Sequence, residues 1–363
     1  MRMNQQEERQ HGNPDSDWRG VKQGRLVLWF LLTAAVSSTW RKLKNCIKFF
    51  IGRDPTFDET GLFLRQYVLH LTRIRPIRKI TCTGLKSEGA GSQALMTMNA
   101  ITFARSFGFT YVHTPFRFIR HAERPMEEWT AAWEALFNLG SGETACHDER
   151  RNVVDFCYNF TDLGRCFGSW WRLDELADRF RAMIPELRHK YYLNKSPRTA
   201  DELTVAIHVR RGDVSAEHPY YFTSNEKILR TIATMKSVLD DRELHYRIRL
   251  YSQGQSAEFA DFCALGIDLF LNADAVWTMQ ELIEADVLIM AKGCFSYCAG
   301  LLSDGIKFFA PAPWPNHDGL PSDKWCAFPL AENWITCQPD GSFDSRAFER
   351  QLLRHETSGL GHP

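Results

Sequence analysis

From residue 203 to residue 311 the chain alternates strand and helix almost without a break, and few architectures accept that pattern. "LTVAIHV" is an apolar, β-branched run of strand length. "SNEKILRTIATMKSVLDD" repeats apolar residues at helical spacing behind Ser224 or Asn225 as a cap. "YRIRLYSQ", "IDLFLNAD", "DVLIMAKG" and "IKFFAPA" read as further strands, and "SAEFADFCALG", "TMQELIEA" and "FSYCAGLLSDG" as the helices between them. Short apolar strands joined by helices predict a mostly parallel sheet covered on both faces. The same alternation occurs earlier. "IRKITCTG" and "FTYVHTPF" read as strands, "SQALMTMNAITFARSFG" as a helix with apolar Leu95, Met98, Ile101 and Phe103. "MEEWTAAWEALFNLG" reads as a helix with Trp129, Trp133, Leu136 and Phe137 on one side, ended by Asn and Gly. The predicted fold class is therefore α/β, with two Rossmann-like domains facing a cleft.

The expected division is an N-terminal extension at 1–55, a first Rossmann-like domain at 56–200, a second, nucleotide-binding one at 201–330, and a C-terminal tail at 331–363. Between the two alternating stretches, "GSWWRLDELADRFRAMIPEL" predicts a helix. In the extension, the uncharged stretch "LVLWFLLTAAVSSTW" is shorter than the roughly 20 residues a spanning helix needs. "WRKLKNCIKFFIGR" alternates basic and apolar residues like a helix lying in a membrane interface. Residues 25–52 thus predict peripheral membrane contact. The expected location is cytoplasmic or peripheral to a membrane, with a type II membrane protein of the secretory pathway as the alternative. The ten cysteines contain no Cys-x-x-Cys pair, and several sit in apolar runs, which reads as buried thiols in a reducing compartment. The glycosylation-type triplets at Asn159 and Asn194 shift this little.

Lysine and arginine number 44, matching 44 aspartates and glutamates, so nothing in the net charge predicts nucleic acid as a partner. An anion site must be local. The first strand of the second stretch runs into His208, Arg210, Arg211, Gly212 and Asp213. In open parallel sheets ligands sit beyond the carboxyl ends of the strands. Ser252 and Gln253, Asn272 and Asp274, and Lys292 to Ser296 occupy the equivalent ends of the next strands. Guanidinium is always charged and presents a planar fork matched to phosphate oxygens. The helix beginning near Phe295 and Ser296 adds unpaired N–H groups, and Asp274 is placed to meet a ribose or a base. Together these predict a nucleotide-diphosphate site. The glycine cluster Gly89-x-Gly91-x-x-Ala94 lacks the acidic residue of a dinucleotide site and the Gly-Lys of a P-loop. It reads as a tight strand-to-helix loop facing the cleft. Trp170, Trp171, His113 and Phe116 lie near loops, where aromatic faces suit sugar rings.

"HVRRGD" after an apolar strand resembles the motif of GDP-fucose-dependent fucosyltransferases: the alpha-1,2 group and, more loosely, the alpha-1,6 and protein O-fucosyltransferases. "TMQELIEADVLIMAKGCFSYCAGLL" resembles their C-terminal motif, and Gly89 to Gln93 their early glycine loop. The likeness spans about 80–310. Lys292, Gly293 and Cys294 stand where relatives carry Asn-Ser or Ser-Thr. The resemblance implies a GT-B-like glycosyltransferase that moves fucose from GDP-fucose to a glycan or glycoconjugate acceptor with inversion, without a metal or other cofactor. It implies that Arg210 contacts the β-phosphate and that Arg211 assists the diphosphate or holds the loop. His208, Asn272, Asp274, Ser296, Gly91 and Gln93 join the donor site. Glu217 is the implied base, with Asp213 and His218 as alternatives. Two other readings stand beside it: the same scaffold using another nucleotide sugar, and a non-catalytic binding module displaying Arg211-Gly212-Asp213.

Overall fold

The computed structural model describes residues 78–84, 88–146, 153–156, 173–196, 202–218, 221–311 and 333–357. The chain divides into two compact units, Met1–Arg78 and Lys79–Pro363, and everything below concerns the second. The interfacial segment 25–52, the triplet at Asn159, Trp170 and Trp171, and Cys46, Cys157, Cys166 and Cys326 lie outside the described residues.

Among the described residues, ten strands and eight helices follow one another, mostly in the expected alternation. The first part contains β1 (Lys79–Thr81), α1 (Ala90–Phe107), β2 (Thr110–His113), α2 (Met126–Phe137), β3 (Thr144–Ala145), β4 (Val153–Asp155) and α3 (Leu173–Tyr192). The second contains β5 (Leu203–Val209), α4 (Asn225–Asp241), β6 (Tyr246–Ser252), α5 (Ala260–Cys263), β7 (Asp268–Leu271), α6 (Ala275–Ile283), β8 (Val287–Ile289), α7 (Cys294–Leu302), β9 (Ile306–Phe309), β10 (Trp334–Thr336) and α8 (Ser345–Thr357). Every strand pair is parallel. The sheets run β3-β2-β1-β4 and β10-β9-β8-β5-β6-β7. The second is the doubly wound order, in which the chain reverses direction across the sheet between β5 and β8. The fold is α/β with two Rossmann-like sheets.

β5 shows why the second sheet forms where it does. Its interior residues are almost all buried, as a strand covered on both faces requires. Val205, Ile207 and Val209 pack with Ile228, Ile232, Met235 and Leu239 of α4, whose apolar residues fall on one face at helical spacing. Burying each such side chain contributes about 1.5–3 kcal/mol. α1 is buried on nearly all sides, Thr97, Asn99 and Thr102 included, and not only at Leu95, Met98, Ile101 and Phe103. It is packed against β1, β2, α3 and α7, so no face is left for solvent.

Other segments also differ from expectation. "SAEFADFCALG" forms a 3₁₀ turn and one helical turn instead of one continuous helix. Residues beyond 331, expected as a tail, add β10 to the edge of the second sheet and lay α8 against α4. Buried Phe348 and Leu352 anchor α8 to the core, and Ile335 does the same for β10. Cys298 and Cys337 are buried, whereas Cys263 is exposed.

Candidate functional site

A cavity of about 550 Å³ opens at the carboxyl ends of both sheets. The loops after β1 and β2 form one wall, and the loops after β5, β6, β7 and β8 the other. Its centre is the β5/β8 reversal, where the loops leaving adjacent strands diverge and leave a crevice.

Two helices point their first turns into this crevice. α1 begins behind Gly89 and α7 behind Gly293, neither of which has a side chain to cap the helix. The opening N–H groups of each helix thus keep no intrahelical partner, and each carries the positive end of a helix dipole. The two starts touch. A Cβ on Gly91 would lie 2.7 Å from Phe295 Cα and 2.9 Å from Phe295 N, so only glycine lets the helices approach this closely. Gly293 (φ 142°) takes a backbone conformation that side chains avoid, and a Cβ there would sit 2.8 Å from Arg210 Nη1.

Arg210 brings the charge. Asp213 holds it from one edge, accepting from Nε at 3.1 Å and Nη2 at 2.7 Å. Tyr221 lies 4.8 Å beneath the guanidinium. Burial works against the Arg210 charge, but the hydrogen bonds and charge of Asp213 outweigh it and raise the guanidinium above its ordinary value. The same hydrogen bonds, ahead of the other causes, hold Asp213 below the usual carboxylate range. The Nη1 edge faces Gly293 and the start of α7. An anion between them meets a fixed fork and a helix N-terminus at once. Lys292 adds a second cation on the same wall. Its ammonium is lowered by burial and then by Lys227, and it donates to Phe222 O at 3.4 Å.

Arg211 does something else. It is buried beneath the loop, donating to Arg210 O, Thr223 O and Asn225 Oδ1 at 2.9, 3.0 and 2.7 Å, and its guanidinium stacks 4.3 Å from Phe222. Its hydrogen bonds hold the loop, one of the two expected roles, and it also lines the cavity. Gly212 and Asp213 are exposed, but Arg211 is buried and Asp213 is paired with Arg210, so the Arg-Gly-Asp tripeptide does not offer its arginine to a partner.

His208 Nδ1 lies 2.5 Å from Ser296 Oγ, which also accepts from Ala291 N at 3.0 Å. With Ala291 donating to it, the hydroxyl is placed to give its own proton to Nδ1, which leaves the ring proton on Nε2. Burial, then the Arg210 charge, lowers His208 to about 4, so the ring is neutral at physiological pH. Ser296, expected to donate to phosphate, instead orients this histidine.

Several expected donor contacts are otherwise engaged. Asp274 caps α6, accepting from Trp277 N at 2.9 Å, and pairs with Arg124. Asn272 exchanges two hydrogen bonds with Gly254, at 2.9 and 3.1 Å, which ties the β6 and β7 loops together. Gln93 is buried and donates to Glu88 O at 3.0 Å and Phe118 O at 2.5 Å, fixing the glycine loop to the loop after β2. Glu217 is exposed and lies away from the cavity. A tight turn closed by His218 N donating to Ser215 O at 2.9 Å throws it outward. His113 is buried and bonded to Glu134 at 2.6 Å, and Phe116 is packed against Phe137, so neither is a sugar platform.

The glycine loop lines the cavity as expected, but Glu88, His121 and Glu123 on the same wall were not legible in the sequence. Only the rule that ligands gather at carboxyl ends could have pointed to the loop after β2. Among the described residues, no group of three or more His, Cys, Asp or Glu is placed to hold a metal ion.

No protein-family model and no curated protein sequence matches the chain. Solved structures with a similar chain path include E. coli heptosyltransferase WaaC with ADP, 13% identical over 76% of this chain and 99% of that one, with a TM-score of 0.39. POFUT1 in complex with GDP is 12% identical over 63% and 95%, TM-score 0.34. A variant of Arabidopsis thaliana FUT1 in complex with GDP is 12% identical over 77% and 81%, TM-score 0.33. Likeness this distant carries no activity, donor or acceptor across.

Proposed function

We propose that the cavity binds the diphosphate of a nucleotide sugar and that the protein is an inverting glycosyltransferase, with GDP-fucose as the donor on the strength of its "HVRRGD" resemblance. The observation that carries the reading is the convergence of Arg210 Nη1 and two uncapped helix starts on one crevice at the β5/β8 reversal. In such a transfer the bond between the sugar C1 and the β-phosphate oxygen lengthens, and negative charge grows on the departing diphosphate. Arg210, Lys292 and the opening N–H groups of α7 are fixed where that charge develops, so they bind the transition state more tightly than the intact donor. The proposal gives this neutralising role to them and not to a metal ion. Asp213 keeps the Arg210 fork from rotating away, and Arg211 keeps the loop beneath it rigid. The acceptor, a glycan or glycoconjugate hydroxyl, enters from the wall built by the first sheet.

The test is calorimetric titration of the full chain with GDP, UDP, ADP and GDP-fucose, repeated on Arg210→Ala. GDP is expected to bind, and the variant to bind it roughly 10- to 100-fold more weakly, the range expected for losing a hydrogen-bonded charge. Failure of all four nucleotides to bind the wild-type protein, or an unchanged affinity in Arg210→Ala, would refute the proposal. Preference for UDP or ADP over GDP would keep the chemistry and replace the donor.

A further inference from the structure

A hydroxyl that attacks a sugar carbon must lose its proton, and Glu217, the residue the resemblance implied for that task, does not reach the cavity. Five carboxylate and imidazole side chains line the cavity: Glu88, His121, Glu123, His208 and Asp213. Three are committed. Asp213 is held by both Nε and Nη2 of Arg210. Glu123 Oε2 accepts from Ala275 N at 3.2 Å, on the start of α6. His208 has its basic nitrogen engaged by Ser296. Glu88 precedes Gly89, the cap of α1, at the end of the crevice to which the proposed function assigns the diphosphate.

His121 is different. The loop after β2 carries it to the wall opposite the β5 loop, the side that the proposed function gives to the acceptor. Its backbone is left-handed (φ 62°), a conformation uncommon for a residue with a side chain. The loop is pinned just before it: Ile119 is buried, and Arg120 N donates to Glu88 O at 3.1 Å. The residue is exposed and lines the cavity that Asp213 also lines, and it is the least of the causes that lower Asp213.

Resting on the nucleotide-sugar reading above, we propose that His121 is the base that deprotonates the acceptor hydroxyl. The acceptor oxygen forms its bond to C1 on the face opposite the diphosphate. The C1–O bond to the β-phosphate breaks, and its electron pair leaves with the phosphate oxygen held at Arg210. The acceptor proton passes to the imidazole of His121, and the imidazolium later releases it to water. Asp213 then faces a positive charge on each side, the new imidazolium and Arg210. It thereby links proton removal to leaving-group departure. The charged and titratable groups that line the cavity with His121 are His208, Arg210, Arg211, Asp213, Tyr221, Lys292 and Cys294 on the opposite wall, and Glu88, Arg120 and Glu123 on its own.

The test uses His121→Asn in the full chain, since asparagine takes the left-handed conformation readily. GDP release from GDP-fucose, with water as the acceptor, is followed from pH 5 to pH 9, and GDP affinity is measured by calorimetry. The expected result is a kcat lowered by roughly 100-fold or more, loss of the histidine limb of the pH profile, and a GDP affinity within about twofold of wild type. A variant that binds GDP and keeps wild-type kcat and pH profile overturns the assignment. So does a comparable loss in Glu88→Gln with His121→Asn unaffected, which moves the base to Glu88. A wild-type protein that binds no GDP overturns the nucleotide-sugar reading itself, and this inference with it.

Discussion

Gly91→Ala adds one methyl group to the first turn of α1, and its consequences can be worked out from the packing. The new carbon would lie 2.7 Å from Phe295 Cα, 2.9 Å from Cys294 O and 2.9 Å from Phe295 N. All three are backbone atoms of the α7 start, so no side chain can swing aside. Carbon–carbon contacts are comfortable from about 3.5 Å, which means the helix starts must separate by roughly 0.8 Å. Overpacking of this kind costs about 1–3 kcal/mol. The better helix propensity of alanine offsets at most about 1 kcal/mol of that. The net effect is a loss of about 1–2 kcal/mol, which lowers the melting temperature by about 2–8 °C in a unit of this size. Because the same movement spreads the anion donors, GDP affinity is expected to fall roughly tenfold, about 1.4 kcal/mol. Gly89→Ala is the control. A Cβ there meets nothing within 4 Å, so it costs only a weaker cap, about 0.5 kcal/mol, and leaves GDP affinity alone. Thermal melts and calorimetry on the two variants decide the matter. Should Gly91→Ala melt and bind like the wild type, the two helix starts are not in contact and the crevice is not built as described.

Two other substitutions test neighbouring parts of the site. Arg211→Met should lower stability to urea by about 2–4 kcal/mol, because three acceptors lose a buried charged donor. Arg211→Lys should not restore it, since an ammonium cannot reproduce the fork, and a urea midpoint within error of wild type for either variant would refute the loop-holding role. His208 is lowered to about 4 from an ordinary 6.5, so its neutral form is favoured in the folded state. The stability this confers is complete above pH 6.5 and is lost as the pH falls towards 4, a difference of roughly 3 kcal/mol. His208→Gln should flatten that part of the pH dependence in urea titrations at pH 7 and pH 4.5, and an unchanged slope would show that the ring is not held neutral.

How far the sequence could be read differed from element to element. β5 was legible to the residue, because a strand buried on both faces must be apolar throughout and leaves no ambiguity of period. α2 was legible for its Glu-rich start, its aromatic face and its Asn138 end, which takes the left-handed conformation expected there. β3 and β10 were not legible. They are two and three residues long, too short for any periodicity, and they exist because a neighbouring strand offers them an open edge. The burial of α1 was hidden for the opposite reason. Its own hydrophobic contrast is weak, and its surroundings bury its polar residues as well.

The candidate site divides along the same line. The chain order alone determined that Arg210, Lys292 and the start of α7 fall at carboxyl ends of parallel strands, because alternation fixes which end of each strand leads into a helix. Which of two adjacent arginines faces the crevice was a tertiary decision. Arg210 is turned towards the start of α7 by Asp213, while Arg211 finds three acceptors beneath the loop. Tertiary structure also decided that Glu217 turns outward, that Asp274 serves a helix cap, and that His121, some 90 residues before the arginines, stands across the cavity from them. Sequence spacing specifies which residues leave a strand together. It is silent on which side chains meet across two sheets, because those distances are set by packing between segments far apart in the chain.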